Sequence, residues 1–307
     1  MKDCAGPEEG RRQAGESAMS GVIEQSWFVG EMGKVTGDMW LKGWDERNAG
    51  NMSLRLTAED LSPYAEALNG ERVFRLRTAV PELAGEHYLV TGAGKFFRNV
   101  ASDPAGNLGI LRVAGDGGSV AVLWGLRGDA GPTSELTAHL HSHLARQRAS
   151  SGKSRVIAHC HATNLIALSH VLPLDGAIFT RALWEMCTEC LVVFPDGLAV
   201  LPWMVPGTLE IGEATAEAMR GQSIVLWPFH GVFSAGNSLE DAFSLIDTAE
   251  KAAEILVKVL AMGGARQSVS SGDLERIAKH YGLTPMAEAM ELEGWSAPAG
   301  QLSDARD

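Results

Sequence analysis

Residues 154–168 read SRVIAHCHATNLIAL. This is an apolar run of strand type that leads into a helix-like run, interrupted by His159 and His161 with Cys160 between them. Side chains two apart on a strand point to the same side, so the two imidazoles share one face while Ala158, Cys160 and Ala162 take the other. That geometry suits one metal ion. It equally suits a pair of core or edge histidines satisfied by backbone carbonyls, and the stretch by itself leaves both readings open.

Elements of both kinds surround it. A helical stretch over 23–44 is followed by RNAGNMSLRL, which turns through Asn and Gly into a short strand; EHYLVTGAG is a strand ending in glycines. LGILRVAGDGGSVAVLWG predicts a hairpin about its Asp-Gly-Gly turn. From Pro132 the pattern becomes helical in PTSELTAHLHSHLARQR. Downstream of the histidines come a helix, a strand pair in CLVVFPDGLAVLPW, a helix from about Thr208 to Gly221, and the strand SIVLWPFHG. A long helix then has Ser238 as N-cap and Gly263 as stop, with Ala242, Ile246, Ala249, Ala253, Leu256 and Leu260 at helical spacing. Strands and helices interleave without a linker, and several strands are hairpin-connected. The expected fold is therefore a single α/β domain of αβα type over 21–293, with a mixed or mostly antiparallel sheet covered by helices. Polar tails are expected at 1–20 and 294–307.

Composition narrows the function. In 307 residues, 45% are hydrophobic and 21% charged, which is ordinary for a globular protein. A formal net charge of -12 argues against nucleic acid or an anionic membrane as partner, since both need a positive footprint. No apolar stretch is long enough to span a bilayer, and the N-terminal residues lack the apolar core of a signal peptide, so a cytoplasmic protein is expected. The cysteines Cys4, Cys160, Cys187 and Cys190 do not form a disulfide framework. CTEC at 187–190 lacks a second cysteine pair and is not read as a zinc or redox motif.

A catalytic zinc site has three protein ligands and an open position, so His159 and His161 need a distant third. His230, in LWPFHGVF just past a strand-like run, is the best candidate. His139 and His143 in HLHSH share a helix face, but without the glutamate of the metalloprotease pattern they are read as packing or surface residues. Glu135 is expected in the first turn of its helix, where the dipole favours a carboxylate whatever its function. Thr133 and Ser134 there suit capping or an oxyanion such as phosphate. TGAGKFFRN offers successive backbone N–H groups in a Gly-rich turn, an anion nest that matches neither a P-loop nor a dinucleotide fingerprint.

Together QSWFV, WLKGWDERNAGN, VTGAGKFFRN, PTSEL, HCHATNLIAL, TECLVVFPDG, LPWMVPGT, LWPFHGVF and LIDTAEK resemble the zinc-dependent class II aldolase and epimerase family over about residues 23–290. Within it, WLKGWDERN and GKFFRNV point to members acting on L-rhamnulose 1-phosphate rather than on fuculose or ribulose phosphates. The resemblance implies a lyase that reversibly cleaves this ketose phosphate, in L-rhamnose catabolism, to dihydroxyacetone phosphate and L-lactaldehyde. It implies a zinc ion held by His159, His161 and His230, with Glu135 as catalytic acid/base, able to approach the metal when substrate is absent. Glu189 would be a second catalytic carboxylate at the aldehyde end, and Asn48, Asn51, Gly94, Thr133 and Ser134 would bind the phosphate. Family members have serine where this chain has Ala93, so one hydroxyl donor to the phosphate is missing. A homotetramer of four-fold symmetry with active sites near subunit contacts is implied as well. The alternatives are another sugar-phosphate aldolase or 4-epimerase on the same zinc triad and, further off, a non-catalytic adducin-like module.

Overall fold

The computed structural model describes residues 22–292, so the tails expected at 1–20 and 294–307 lie outside the described residues. Among the described residues nine strands form one sheet: β1 Asn51–Leu56, β2 Arg72–Arg75, β3 His87–Thr91, β4 Leu108–Val113, β5 Ser119–Gly125, β6 Val156–Cys160, β7 Ala199–Val200, β8 Ile224–Trp227 and β9 Gly231–Gly236. Their order across the sheet is β2-β5-β4-β3-β1-β6-β9-β8-β7. Every neighbouring pair is antiparallel except β7 with β8.

The period-two alternation of strands sorts side chains between two faces. Met52, Leu54 and Leu56 of β1 join Val156, Ala158 and Cys160 of β6 in one core. Against them pack the helices Trp27–Leu41, Gly176–Met186 and Leu239–Ala261, through Phe28 and Met32, Phe179 and Leu183, and Ile246 and Ala253. On the other face, Val90 and Val122 meet Leu136 and Leu140 of the helix Leu136–Ala149. Val225 and Phe233 there meet Ile211 and Ala216 of the helix Leu209–Ala218. A mostly antiparallel sheet with helices on both sides is the fold the sequence predicted.

Two helix starts hold as read. Ser238 caps the long helix by accepting from the Asp241 N–H, and Thr208 caps its helix by accepting from that of Ile211. Other expectations fail for physical reasons. CLVVF does not open a strand pair: Thr188–Val193 is a short helix that buries Cys190 and Leu191, and only Ala199–Val200 is strand. A brief apolar run cannot tell a buried strand from a buried helical turn. The helix expected from Pro132 begins at Leu136, because Pro132 bridges to Gly92 and the Thr133 N–H donates to the Thr91 carbonyl. Glu135 is thus the N-cap position rather than a first-turn residue, and its side chain makes no capping bond.

Candidate active site

Sheet register gathers the site. Asn51 on β1 lies opposite His159 on β6, and His159 lies opposite Phe233 on β9. His161 follows at the strand's end, where its N–H donates to the Trp44 carbonyl. The helix that comes next, Thr163–Leu168, has no side-chain cap of its own. Glu250 supplies one from the long helix, accepting from the N–H groups of Asn164 and Leu165 at 2.8 and 2.9 Å. His230 arrives from the turn between β8 and β9, in which Phe229 takes a left-handed φ of 62° and donates its N–H to the Ser169 hydroxyl.

The three histidines bring one ring nitrogen each to within 4.8 Å of one another. The ring of His159 stacks on Phe233 with centroids 4.3 Å apart. Its Nδ1 is 3.1 Å from the Val232 carbonyl, and Nδ1 of His161 is 2.7 Å from the Glu46 carboxylate. Partners of these kinds on one nitrogen fix the tautomer and leave Nε2 with its lone pair available, as in metal-binding histidines. Burial, first, and the neighbouring imidazoles push His159 well below the usual histidine range, and burial takes His230 down to about 4. Neutral rings are what a metal requires. Nδ1 of His230 is buried without a partner. Gly231 completes the cradle: a Cβ there would sit 2.5 Å from the Cys160 carbonyl oxygen and 2.9 Å from the His159 ring. The donor set therefore fits a divalent metal with an open coordination position.

Glu135 stands beside the trio, its Oε2 3.9 Å from His159 Nε2. With His159 neutral this contact is not an ion pair. Asn51 Nδ2 donates to the same Oε2 at 2.9 Å. Burial raises the Glu135 carboxyl above its ordinary range, and the Asn51 bond and His161 offset part of that rise. A carboxylate held above its ordinary range is a stronger base than a free one, which suits it to proton transfer.

A cavity of about 270 Å3 connects these groups and is lined by Asn48, Asn51, Ala93, Gly94, Thr133, Ser134, Glu135, all three histidines, and Pro206 and Gly207. A larger cleft of about 800 Å3, between Thr188 and Tyr281, brings no comparable ligand set together, so size does not choose the site. The anion nest is smaller than expected. The N–H groups of Gly92, Ala93 and Lys95 are taken by the carbonyls of Asn107, Gly131 and Gly92. Only Gly94, at φ 68°, keeps an N–H without a protein partner among those four. Glu189 is exposed on the short helix, does not line the cavity, and accepts from the Cys187 thiol at 3.1 Å, which holds its carboxyl below the ordinary range. His139 and His143 are buried under the site, both within hydrogen-bond reach of Ser53 Oγ. Sequence reading passed over Ser53, Glu46 and Gly231; for Ser53 the signal was a polar residue two positions from Asn51 on one strand face.

A polar metal-type trio beside a buried carboxylate, at the ends of interior strands of a mostly antiparallel sheet covered on both faces, defines a class, and the comparisons agree on which. The model of the class II aldolase and adducin N-terminal domain matches residues 31–257, and the chain belongs to the class II aldolase family. Among its relatives, the rhamnulose-1-phosphate aldolase of Shigella boydii serotype 4 is 57% identical over 271 residues, which cover 88% of this chain and 99% of that protein. The enzyme of that name from Escherichia coli K12 is 58% identical over the same shares. A sugar-phosphate aldolase from Thermotoga maritima superimposes with a TM-score of 0.67 at 30% identity, covering 78% of this chain and 97% of that one.

Proposed function

We propose that this chain is a zinc-dependent lyase that reversibly cleaves L-rhamnulose 1-phosphate into dihydroxyacetone phosphate and L-lactaldehyde. The observation that carries the reading is the 57% identity to a rhamnulose-1-phosphate aldolase, over 88% of this chain and 99% of that protein. His159, His161 and His230 hold the ion. When bound, the metal supplies Lewis-acid stabilisation for the negative charge that collects on the ketone oxygen as the bond between C3 and C4 breaks.

The chain's own groups do the rest. Gly94 N–H and the Thr133, Ser134 and Asn48 side chains take the phosphate at the cavity rim, joined by the amide hydrogen of Asn51 that Glu135 leaves free. Glu135 exchanges the proton at C3: it removes one from dihydroxyacetone phosphate in synthesis and returns one in cleavage. Its burial supplies the basicity a carboxylate beside a cation would otherwise lose. Glu189 serves the aldehyde end from a neighbouring subunit of a homotetramer. Its position outside the cavity of its own chain supports that reading, as do Trp203, Val205 and Phe229, which are 60%, 56% and 44% exposed beside the cavity-lining Pro206, Gly207 and His230. A cytoplasmic location accompanies the reading; among the described residues no helix is long and apolar enough to cross a membrane.

The test is release of dihydroxyacetone phosphate from L-rhamnulose 1-phosphate before and after chelation, with fuculose and ribulose phosphates alongside. Cleavage of the rhamnulose ester in preference to both others, lost on chelation and restored by zinc, is expected; equal or better use of another ester overturns the substrate assignment. Glu135→Gln should bind zinc and donor yet lose about a hundredfold or more in turnover, the range for a removed acid/base group. Near-normal exchange of the donor C3 proton in that variant would show that Glu135 is not the base.

A further inference from the structure

Beneath Glu135 lies a chain of buried polar groups for which neither metal nor phosphate accounts. The helix Leu136–Ala149 sets His139 and His143 one turn apart against the β1 face that carries Asn51 and Ser53. His143 Nε2 is 2.8 Å from Ser53 Oγ, and Ser53 Oγ is 2.7 Å from His139 Nδ1. His139 Nε2 in turn meets Asn51 Oδ1, and Asn51 Nδ2 donates to Glu135 at 2.9 Å. We propose that His139 is a positioning residue for the Glu135 carboxylate, acting through the Asn51 amide, with its own tautomer set by Ser53 and His143. The inference rests on the reading of Glu135 as acid/base.

Donor counting gives this chain one direction. An ionised carboxylate only accepts, so Asn51 must turn its NH2 toward Glu135 and its carbonyl toward His139. His139 must then carry its proton on Nε2, which leaves Nδ1 as an acceptor. The Ser53 hydroxyl has one hydrogen and spends it on that Nδ1, so it accepts from His143 Nε2–H. His143 Nδ1 is left as a bare lone pair, and it is indeed a buried atom without a partner. An unmet acceptor there is consistent with the count, whereas the opposite direction would bury an unpaired N–H. Burial keeps both rings neutral, as the count requires.

The consequence concerns the amide. Asn51 alone could rotate its O and N past one another, and a carbonyl turned toward the Glu135 carboxylate would repel it from the donor carbon. His139 removes that option. A histidine that merely fills space would do no such thing, and glutamine and asparagine tell the two roles apart. The amide nitrogen of glutamine reproduces Nε2, while that of asparagine reaches only as far as Nδ1.

The experiment compares zinc-loaded wild type with His139→Gln, His139→Asn, Ser53→Ala and Glu135→Gln. It measures exchange of the C3 hydrogen of dihydroxyacetone phosphate at saturation, KM for that donor, and bound zinc. His139→Gln should exchange within about threefold of wild type, whereas His139→Asn and Ser53→Ala should fall about tenfold or more in saturating rate with zinc retained, since misplacement of a reacting group acts on the chemical step. In those two variants KM should rise as well, because a turned Asn51 amide withdraws its free hydrogen from the phosphate. Nitrogen-15 histidine spectra of the wild type should place the His139 proton on Nε2. Equal rates for His139→Gln and His139→Asn, an unimpaired Ser53→Ala, or a His139 proton on Nδ1 overturns the proposal while leaving Glu135 as base. Normal exchange in Glu135→Gln overturns both.

Discussion

Two pairs of histidines occupy this chain, His159 with His161 on a strand and its exit, and His139 with His143 one helical turn apart, and they have opposite fates. In the first pair each Nδ1 faces a carbonyl or carboxylate, Val232 or Glu46, so the other ring nitrogen is left for the cavity. In His139 both nitrogens are taken, by Ser53 and Asn51. Both spacings put two imidazoles on one face. What separates His159 and His161 from His139 is that one ring nitrogen of each stays open toward the cavity, which only the fold decides.

The contrast is broken most forcefully by removing one of the three clustered imidazoles. His159→Ala or His230→Ala should lose most bound zinc and about a thousandfold or more in turnover, the equivalent of several kcal/mol of charge stabilisation. His143→Leu should keep the metal and lose stability instead, because Ser53 then lacks one partner. Metal analysis of the purified proteins checks both. Cys187→Ser and Cys190→Ser serve as controls, and loss of zinc there with retention in His159→Ala would relocate the site.

The same physics explains what could be foreseen. Alternation in NMSLRL and RVIAHC, with glycines at strand ends, was enough to predict sheet, faces and the His159–His161 pair. His230 could be named as a ligand candidate because a Pro/Gly turn after a strand can aim a side chain. What the sequence concealed was short or tertiary in origin. The edge strand β2 is four residues long, and β9, GVFSAG, is buried at every position and shows no alternation. The helix Ser271–Tyr281 carries a capping box of Ser270 and Asp273 that went unread. The roles of Asn51 and Ser53 depend on a helix more than 80 residues away in sequence, as the 84-residue separation of Asn51 and Glu135 shows.

Acid sharpens the comparison by a smaller amount. Burial lowers His139 to about 3 and His143 well below the ordinary value of 6.5. Unfolding frees both rings to take protons, so their contribution to stability is complete above pH 6.5 and is lost as pH falls toward the folded value. Each such group gives a slope of about 1.4 kcal/mol per pH unit across that window. The buried carboxyls Glu135 and Glu250, raised by burial, act in the opposite sense, so the informative quantity is a difference between variants. His139→Gln cannot titrate, and its stability between pH 6 and 4 should fall less steeply than that of the wild type by about that slope. Parallel denaturation curves for the two would mean that His139 is not held neutral in the folded protein.

The smallest effect concerns the cavity's other wall, where the polar lining is incomplete. Ala93 is exposed to the cavity and its N–H is already bonded to the Gly131 carbonyl, so at this position the loop offers an incoming phosphate no donor. Gly94 beside it keeps an open N–H. Ala93→Ser adds one hydroxyl at the rim, and a hydrogen bond to a charged group contributes about 1.5 kcal/mol, or roughly tenfold in affinity. KM for the phosphorylated donor should therefore fall by up to about tenfold while kcat changes less, because the phosphate lies away from the reacting carbons and is held alike in the ground and transition states. Unphosphorylated dihydroxyacetone, assayed in parallel, separates a phosphate contact from repacking of the loop. If Ala93→Ser improves both donors equally, or leaves KM for the phosphorylated one where it was, the phosphate is held elsewhere in the cavity and the turn at 91–95 is only its wall.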